Sequence, residues 1–379
     1  MEEGDIVEVL ASDGRFLAIG HWQIGSIAVR VLTFRRQPIN QAFWQKRLAA
    51  ALDVRRAIGV AFREDNDIYR LVHGEGDNLP GLVIDIYGTT AVMQAHSVGM
   101  HVCRNELANA LKEVMGERLK AIYYKSETTL PFKAQLGQEN GFLWGEAGND
   151  IARENGLAFH IDWLKGQKTG FFVDQRDNRS LVERYARGRK VLNMFCYTGG
   201  FSVYALRGGA ELVHSVDSST KAVELVNANV ELNFPGDNRH KAFAEDAFKF
   251  MERTPSNSPL KGEDKKSPFK GDLEGLYDLI ILDPPAFAKH KDALHNALRG
   301  YTKLNAKAFE KIQPGGILFT FSCSQAVNKD QFRTAVFTAA AIARRKVRIL
   351  HQLHQPADHP INIYHPEGEY LKGLVLYVE

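Results

Sequence analysis

The chain has 379 residues, more than one average domain and enough for two or three units with a sizeable core. With 44% hydrophobic and 25% charged residues it has the composition of a globular protein, and no apolar run approaches the ~20 residues that cross a bilayer, which argues against a membrane role. A net charge of +3 permits a nucleic-acid partner without demanding one, so any basic footprint has to be local.

The acidic start, MEEGDIVEVL, does not suit a secretory signal, which needs a basic opening and then an apolar segment. Three widely spaced cysteines offer neither a disulfide framework nor a Cys-x-x-Cys metal pair, so no metal is expected and the cytoplasm is the expected compartment. Residues 5–34 alternate in short β-type runs broken by Asp13-Gly14 and Gly25-Ser26, which are hairpin signals, and predict a small β domain. The segment 42–61 has apolar residues at helical spacing and a basic face of Lys46, Arg47, Arg55 and Arg56. That face reads as a solvated helix surface or as an RNA-facing stripe.

From Tyr69 to about Ile161 strands (GLVIDIYG, TAVMQAH, KAIYYKS) mix with a helix around 104–114, predicting a second, α+β unit. From Lys190 onward the pattern becomes strand, turn, helix, repeated through KVLNMF, LVHSVD, YDLIILD and GILFTFS. That alternation predicts a doubly wound, mostly parallel sheet, with VRILHQ and KGLVLYV adding a closing pair. Residues 254–275, rich in Pro, Ser, Gly and Lys and carrying a near repeat, predict a disordered surface insertion.

Chemistry concentrates where these strands end. Tyr197-Thr198-Gly199-Gly200 stands at a strand-to-helix turn, where glycines let the backbone approach a cofactor and the helix offers unpaired amides. Asp217 closes the next strand about 18 residues beyond Gly199, close to the offset at which an acidic side chain takes ribose hydroxyls. The pair points to a nucleoside cofactor. Asp246 follows the third strand and reads either as an acceptor for an adenine amine or as a helix cap. Asp283-Pro284-Pro285 ends a fully apolar strand, a combination suited to holding a planar polar group such as a base.

Cys323, flanked by Ser322 and Ser324, ends the strand after that of Asp283 and faces the same crevice in this reading. The alternative is a small buried hydrophobe. C5 of a pyrimidine is a poor nucleophile, and a thiolate adding to C6 converts the ring to an enamine able to attack a methyl donor. That chemistry needs a thiol and an acid beside the ring. Cys196 lies in the cofactor turn and Cys103 begins a helix, so both read as packing.

Seven stretches carry a further signal: RLVHGEGDNLPGLVIDIYG, KTGFFVDQRDNR, NMFCYTGGFSVYALRGGA, LDPPAFAK, LRGYTKLN, FSCS and DHPINIYHPEGEYLKG. With them, nearly the whole chain resembles the bacterial 23S ribosomal RNA cytosine-C5 methyltransferases. The resemblance implies a PUA-like RNA-binding domain over 1–64, a central α+β domain over 65–170 and a Rossmann-like methyltransferase domain over 171–379. It also implies S-adenosylmethionine as cofactor, with Asn193, Tyr197, Thr198, Gly199 and Gly200 around its methionine part, Asp217 at the ribose and Asp246 at the adenine. Phe171, Gln175 and Arg176 look like the segment covering that pocket. Cys323 is then the nucleophile, and Asp283 bonds the cytosine edge, protonating N3 or assisting proton removal. The implied partner is 23S rRNA or a large-subunit particle, with a homodimer left open. The chain differs from the family pattern in its shorter segment ahead of GDIVEVL and in the 254–275 insertion.

Rival readings are an rRNA methyltransferase acting on guanine N7 or an adenine amine, which uses the DPP turn without a thiol, and a non-catalytic ribosome-assembly factor. A nicotinamide oxidoreductase is weaker, because the glycine turn lacks GxGxxG spacing.

Overall fold

The computed structural model describes residues 1–131, 136–137, 139–254, 277–288 and 291–379. Three short strands open the chain, β1 (Ile6–Leu10), β2 (Phe16–Trp22) and β3 (Val29–Thr33), paired antiparallel in that order. Gly14 and Gly25 take positive φ in their hairpins, as those turn signals require. α1 (Gln41–Ala57) follows, started by Asn40, whose side chain accepts from the Phe43 amide at 3.1 Å. Phe43, Trp44, Leu48 and Leu52 recur at helical spacing and are buried.

Five further strands, β4 (Ile68–His73), β5 (Leu82–Tyr87), β6 (Thr90–Ala95), β7 (Ala121–Tyr124) and β8 (Gly141–Trp144), form a second sheet in chain order. Only β6 and β7 are parallel, and α2 (Val98–Val102) and α3 (Arg104–Met115) make the crossover that a parallel pair needs. The hairpin of β9 (Ile151–Glu154) and β10 (Leu157–His160) completes this part. Its core joins Leu48 of α1, Leu71, Ile84 and Met93 of the sheet, and Leu107 and Leu111 of α3.

The chain divides into two compact units, Met1–Val173 with Pro356–Gly368, and Asp174–Gln355 with Glu369–Glu379. The ranges 1–64 and 65–170 therefore fall in one unit, and the stretch beginning DHPINIYH returns to it from far along the chain. Arg55 explains the attachment. It is fully buried, forms a two-pronged pair with Asp77, donates to the Asp358 carbonyl at 2.7 Å, and through Nε reaches the Arg70 carbonyl at 2.7 Å. Asp358 in turn accepts from the Arg70 amide at 3.0 Å. The basic face of α1 is thus neither a solvated surface nor a continuous RNA stripe. Arg55 holds the interior together and Arg47 donates to the Leu32 carbonyl at 2.7 Å, while Lys46 and Arg56 stay exposed.

The second unit begins with α4 (Arg176–Ala186) and alternates β11 (Lys190–Met194), α5 (Gly200–Arg207), β12 (Leu212–Asp217), α6 (Thr220–Asn233), β13 (His240–Ala244) and α7 (Ala247–Arg253). It continues through β14 (Tyr277–Leu282), α8 (Leu294–Lys311), β15 (Ile312–Ser322), α9 (Lys329–Ile342), β16 (Val347–Leu353) and β17 (Lys372–Val378). These strands make one seven-stranded sheet in the order β13-β12-β11-β14-β15-β17-β16. β11 to β15 are parallel, and the last two segments add the expected pair, with β17 inserted antiparallel between β15 and β16. Strand order reverses between β11 and β14, the place where open α/β sheets bind ligands. The fold is an α/β, Rossmann-like doubly wound domain with a small β-rich sheet at the start of the chain. Except for Thr254, the expected insertion over 254–275 lies outside the described residues. Among the described residues no helix is long and apolar enough to cross a membrane.

Candidate active site

Each proposed site residue of the second unit except those of α4 stands at or just past the carboxyl end of a parallel strand. Across the sheet they run Asp246 after β13, Asp217 closing β12, Asn193 near the end of β11, Asp283 after β14 and Cys323 after β15. Carboxyl ends of parallel strands open onto loops, so side chains there are held by a rigid sheet yet kept out of its core.

The turn after β11 is strained. Phe195 and Tyr197, neither of them glycine, take φ of 59° and 45°, and Gly199 takes 78°. Asp217 holds it in place, accepting from the Tyr197 amide at 3.0 Å through Oδ2 and from the Ser219 amide at 3.0 Å through Oδ1. Asn229 of α6 donates to the Thr198 carbonyl at 2.8 Å. A Cβ on Gly199 would lie 2.9 Å from Val226 Cγ1, and one on Gly200 would lie 2.9 Å from Arg179 Cδ. The two glycines therefore let α6 and α4 close onto the turn.

Asn193 is fully buried, and its Nδ2 donates to Ser202 Oγ at 2.9 Å. Its Oδ1 is a buried acceptor with no donor among the described residues. Such an acceptor, costly when left unmade, fits the ammonium of an amino-acid ligand. Gln175 and Arg176 open α4 and are both 3% exposed, with Gln175 Oε1 accepting from Asn178 Nδ2 at 2.6 Å. Phe171 belongs to the first unit, where its ring packs on Phe159 at 5.0 Å between centroids. Asp246 is the N-cap of α7, with Oδ1 accepting from the Phe248 and Lys249 amides at 3.0 Å each. The helix-cap alternative is thus realised, with one carboxylate oxygen engaged.

Cys323 differs from the other cysteines. Cys103 and Cys196 are buried, and burial pushes both thiols up, Cys103 to about 11. Cys323 is half-buried, while the serines on either side of it are fully buried, so its side chain is turned away from where theirs point. Tyr301 of α8 accounts for the serines. Its hydroxyl accepts from Ser322 Oγ at 2.9 Å and shares a 2.9 Å hydrogen bond with Ser324 Oγ. Ser324 Oγ also accepts from the Ala288 amide at 3.3 Å, tying the loop after Asp283 to the Cys323 turn. Phe287 of that loop packs its ring 4.7 Å from the Tyr301 ring between centroids, tilted by 40°, over Gly300, where a Cβ would lie 2.9 Å from Phe287 Cδ2. Lys372, the first residue of β17, pairs in register with Ser322 and donates to the Ser324 carbonyl at 2.7 Å. Neither Tyr301 nor Lys372 is picked out by spacing, although both stand inside conspicuous stretches, LRGYTKLN and GEYLKG.

A family model described as S-adenosylmethionine-dependent methyltransferase matches residues 139–364. The chain belongs to this family. A model of a PUA-like domain matches residues 1–34, the three-stranded opening sheet. The methyltransferase is 40% identical to ribosomal RNA large subunit methyltransferase I of Tolumonas auensis, across 99% of this chain and 91% of that protein. It is 39% identical to the protein of the same name from Aeromonas hydrophila, across 99% of this chain and 90% of that one. In fold it resembles a crystallised methyltransferase complexed with S-adenosylhomocysteine, at a TM-score of 0.81 and 23% identity over 99% of this chain and 92% of that one. A candidate S-adenosylmethionine-dependent methyltransferase from Streptococcus mutans gives a TM-score of 0.80 at 22% identity, with the same coverage of both chains. S-adenosylmethionine is thus the cofactor of the methyltransferase, and the buried Asn193 acceptor beside a strained glycine turn fits its amino-acid end.

Proposed function

We propose that this methyltransferase transfers a methyl group to C5 of a cytosine in 23S rRNA through a covalent adduct between Cys323 and C6. The name shared by its relatives supports ribosomal RNA of the large subunit as substrate. The observation that carries the choice of base is the half-buried Cys323 at the end of β15, next to the strand that ends at Asp283.

Bound S-adenosylmethionine supplies an electrophilic methyl group on a sulfonium. Cys323 as thiolate forms the S–C6 bond, and the ring gains enamine character with its nucleophilic carbon at C5. Asp283, in its protonated form, donates its proton to N3 and so neutralises the negative charge that builds on the ring as the S–C6 bond forms. After the methyl group is transferred, a base removes the C5 proton, the S–C6 bond breaks and the thiolate returns. Asn193 and the turn from Tyr197 to Gly200 take the methionine part of the cofactor, Asp217 the ribose and Asp246 the adenine edge. Gln175 caps and Arg176 opens α4, whose Arg179 lies against Gly200.

The test is Cys323→Ala assayed for methyl transfer to rRNA, with 5-methylcytosine mapped by mass spectrometry. The expected outcome is loss of at least three orders of magnitude in rate, in keeping with removal of a covalent nucleophile. Undiminished transfer, or a methyl group found on guanine N7 or an adenine amine, overturns the reading.

A further inference from the structure

Lys372 is a cation in an unusual place. It is 6% exposed, yet no carboxylate lies within ion-pairing distance of it among the described residues. Its ammonium instead donates to a neutral acceptor, the Ser324 carbonyl at 2.7 Å. Burial of an ammonium against one carbonyl is costly, and burial accordingly pulls the Lys372 amine down to about 8. An anion nearby would offset that cost. Cys323 stands between Ser322, the register partner of Lys372 on β15, and Ser324, whose carbonyl the amine holds. The electrostatic interaction of Lys372 with Cys323 is attractive and favours the charged amine.

The other charged and titratable groups facing this pair do not replace Cys323. Glu369 also favours the charged amine, but its carboxylate is engaged by Lys329 at 2.5 Å, and Lys329 itself repels Lys372. Tyr301, on the α8 side, has its hydroxyl pushed up mainly by burial and stays neutral, bonded to both serines. Asp283 follows the adjacent strand β14, and a carboxylate there would disfavour a thiolate rather than replace Lys372.

We propose that Lys372 is a positioning residue that keeps the Cys323 sulfur in its thiolate form at neutral pH while tethering the 322–324 turn through the Ser324 carbonyl. The proposal rests on Cys323 as the nucleophile, and it adds how an ordinary thiol becomes one. By electrostatic reciprocity, the attraction that favours the lysine cation favours the thiolate equally. The β15-β17 pairing places Lys372 beside Ser322, and its hydrogen bond to the Ser324 carbonyl holds the amine at the turn that carries Cys323 before any substrate arrives.

The experiment measures the pH dependence of Cys323 alkylation by iodoacetamide in the full chain, read by mass spectrometry of the Cys323 peptide, without RNA or cofactor. Lys372→Met and Lys372→Gln are expected to raise the midpoint by about one pH unit and to slow alkylation at pH 7.5 roughly tenfold. Lys372→Arg keeps the charge and is expected to retain most of the wild-type midpoint. Unchanged midpoints in folded Met and Gln variants overturn the proposal. So does a wild-type midpoint in Gln alone, because Gln keeps the hydrogen bond to Ser324 and drops the charge. If these variants fail to fold, Cys323→Ala carries the reciprocal test: the pH midpoint of Lys372 acetylation is expected to fall relative to wild type, and no fall overturns the proposal. The proposed function fails on methyl transfer by Cys323→Ala, whereas this inference fails on midpoints measured without substrate, so the two failures are separable.

Discussion

Tyr301 shows how a single side chain can set the direction of another through the residues on either side of it. Its hydroxyl ties Ser322 and Ser324 at 2.9 Å each, which commits both to the interior and leaves the residue between them turned outward. β15 ends at Ser322, so these two hydrogen bonds, and not the strand, fix the turn in which Cys323 keeps its partial exposure. Tyr301→Phe keeps the tilted ring contact with Phe287 and removes only the hydroxyl, leaving two buried serines short of a partner. Each such loss costs about 1 kcal/mol or more. Methyl-transfer kinetics are expected to show kcat falling by roughly tenfold to a hundredfold with KM for the cofactor within about twofold. A selective rise in cofactor KM with kcat intact counts against this role.

Among the elements, α8 links the two loops that carry Asp283 and Cys323. Tyr301 faces the β15 turn, and its neighbour Gly300 makes room for Phe287 of the β14 loop. A methyl group at Gly300 would stand 2.9 Å from the Phe287 ring, and a ring packed on Tyr301 at 4.7 Å cannot yield as a flexible chain end does. Gly300→Ala should therefore displace the loop after Asp283 rather than unfold the helix, which alanine favours. The expected readout is a tenfold or larger drop in methyl transfer with calorimetric S-adenosylmethionine binding near wild type, the scale of loss that small misplacements of reacting groups produce. Wild-type transfer by this variant counts against a role for the loop in positioning Asp283. The opposite case is α7, whose short start is capped by Asp246, so one residue serves the helix and the proposed adenine edge together.

At the scale of the whole molecule, stability rests on groups that the first unit keeps in an uncharged or fully paired state. His21 of β2 is 1% exposed, stacks near Trp44, and is pressed by Gly99 of α2, where a Cβ would lie 2.2 Å from the ring. Burial pulls the ring down from its ordinary 6.5 to about 4. Between those values the unfolded chain binds the proton and the folded unit does not, so stability is lost as pH falls from about 6.5 towards 4. Each step of one in pH across that window is worth ~1.4 kcal/mol, which puts the full loss on the order of 3 kcal/mol. Urea unfolding at pH 7.5 and pH 5 is expected to show a smaller pH-dependent loss in His21→Phe than in wild type. An equal loss in both means the ring is not the group responsible. Arg55 illustrates the fully paired state, since it joins α1 to Asp77 and to Asp358 across 303 positions of sequence. Removing one partner of such a buried pair commonly costs several kcal/mol, because the other charge is left uncompensated.

What could be read in advance follows from the range of the forces involved. Strand and helix periods, hairpin turns at Gly14 and Gly25, and the run of acidic and cysteine residues at successive strand ends depend on residues close in sequence, and the chain alone determined them. The alternation of β11 to β15 with helices likewise determined the parallel, doubly wound half of the sheet. The tertiary structure decided which side chains stand around Cys323. Lys372 reaches Ser324 over 48 positions and Tyr301 reaches Ser322 over 21, by pairings that no local pattern encodes. It also decided the fate of the basic face of α1 and of the stretch DHPINIYH. Charge in a sequence does not reveal whether its counter-charge is water or a buried aspartate 22 residues away, as for Arg55 and Asp77. That choice is made when the apolar surfaces close and each polar group they enclose must find a partner.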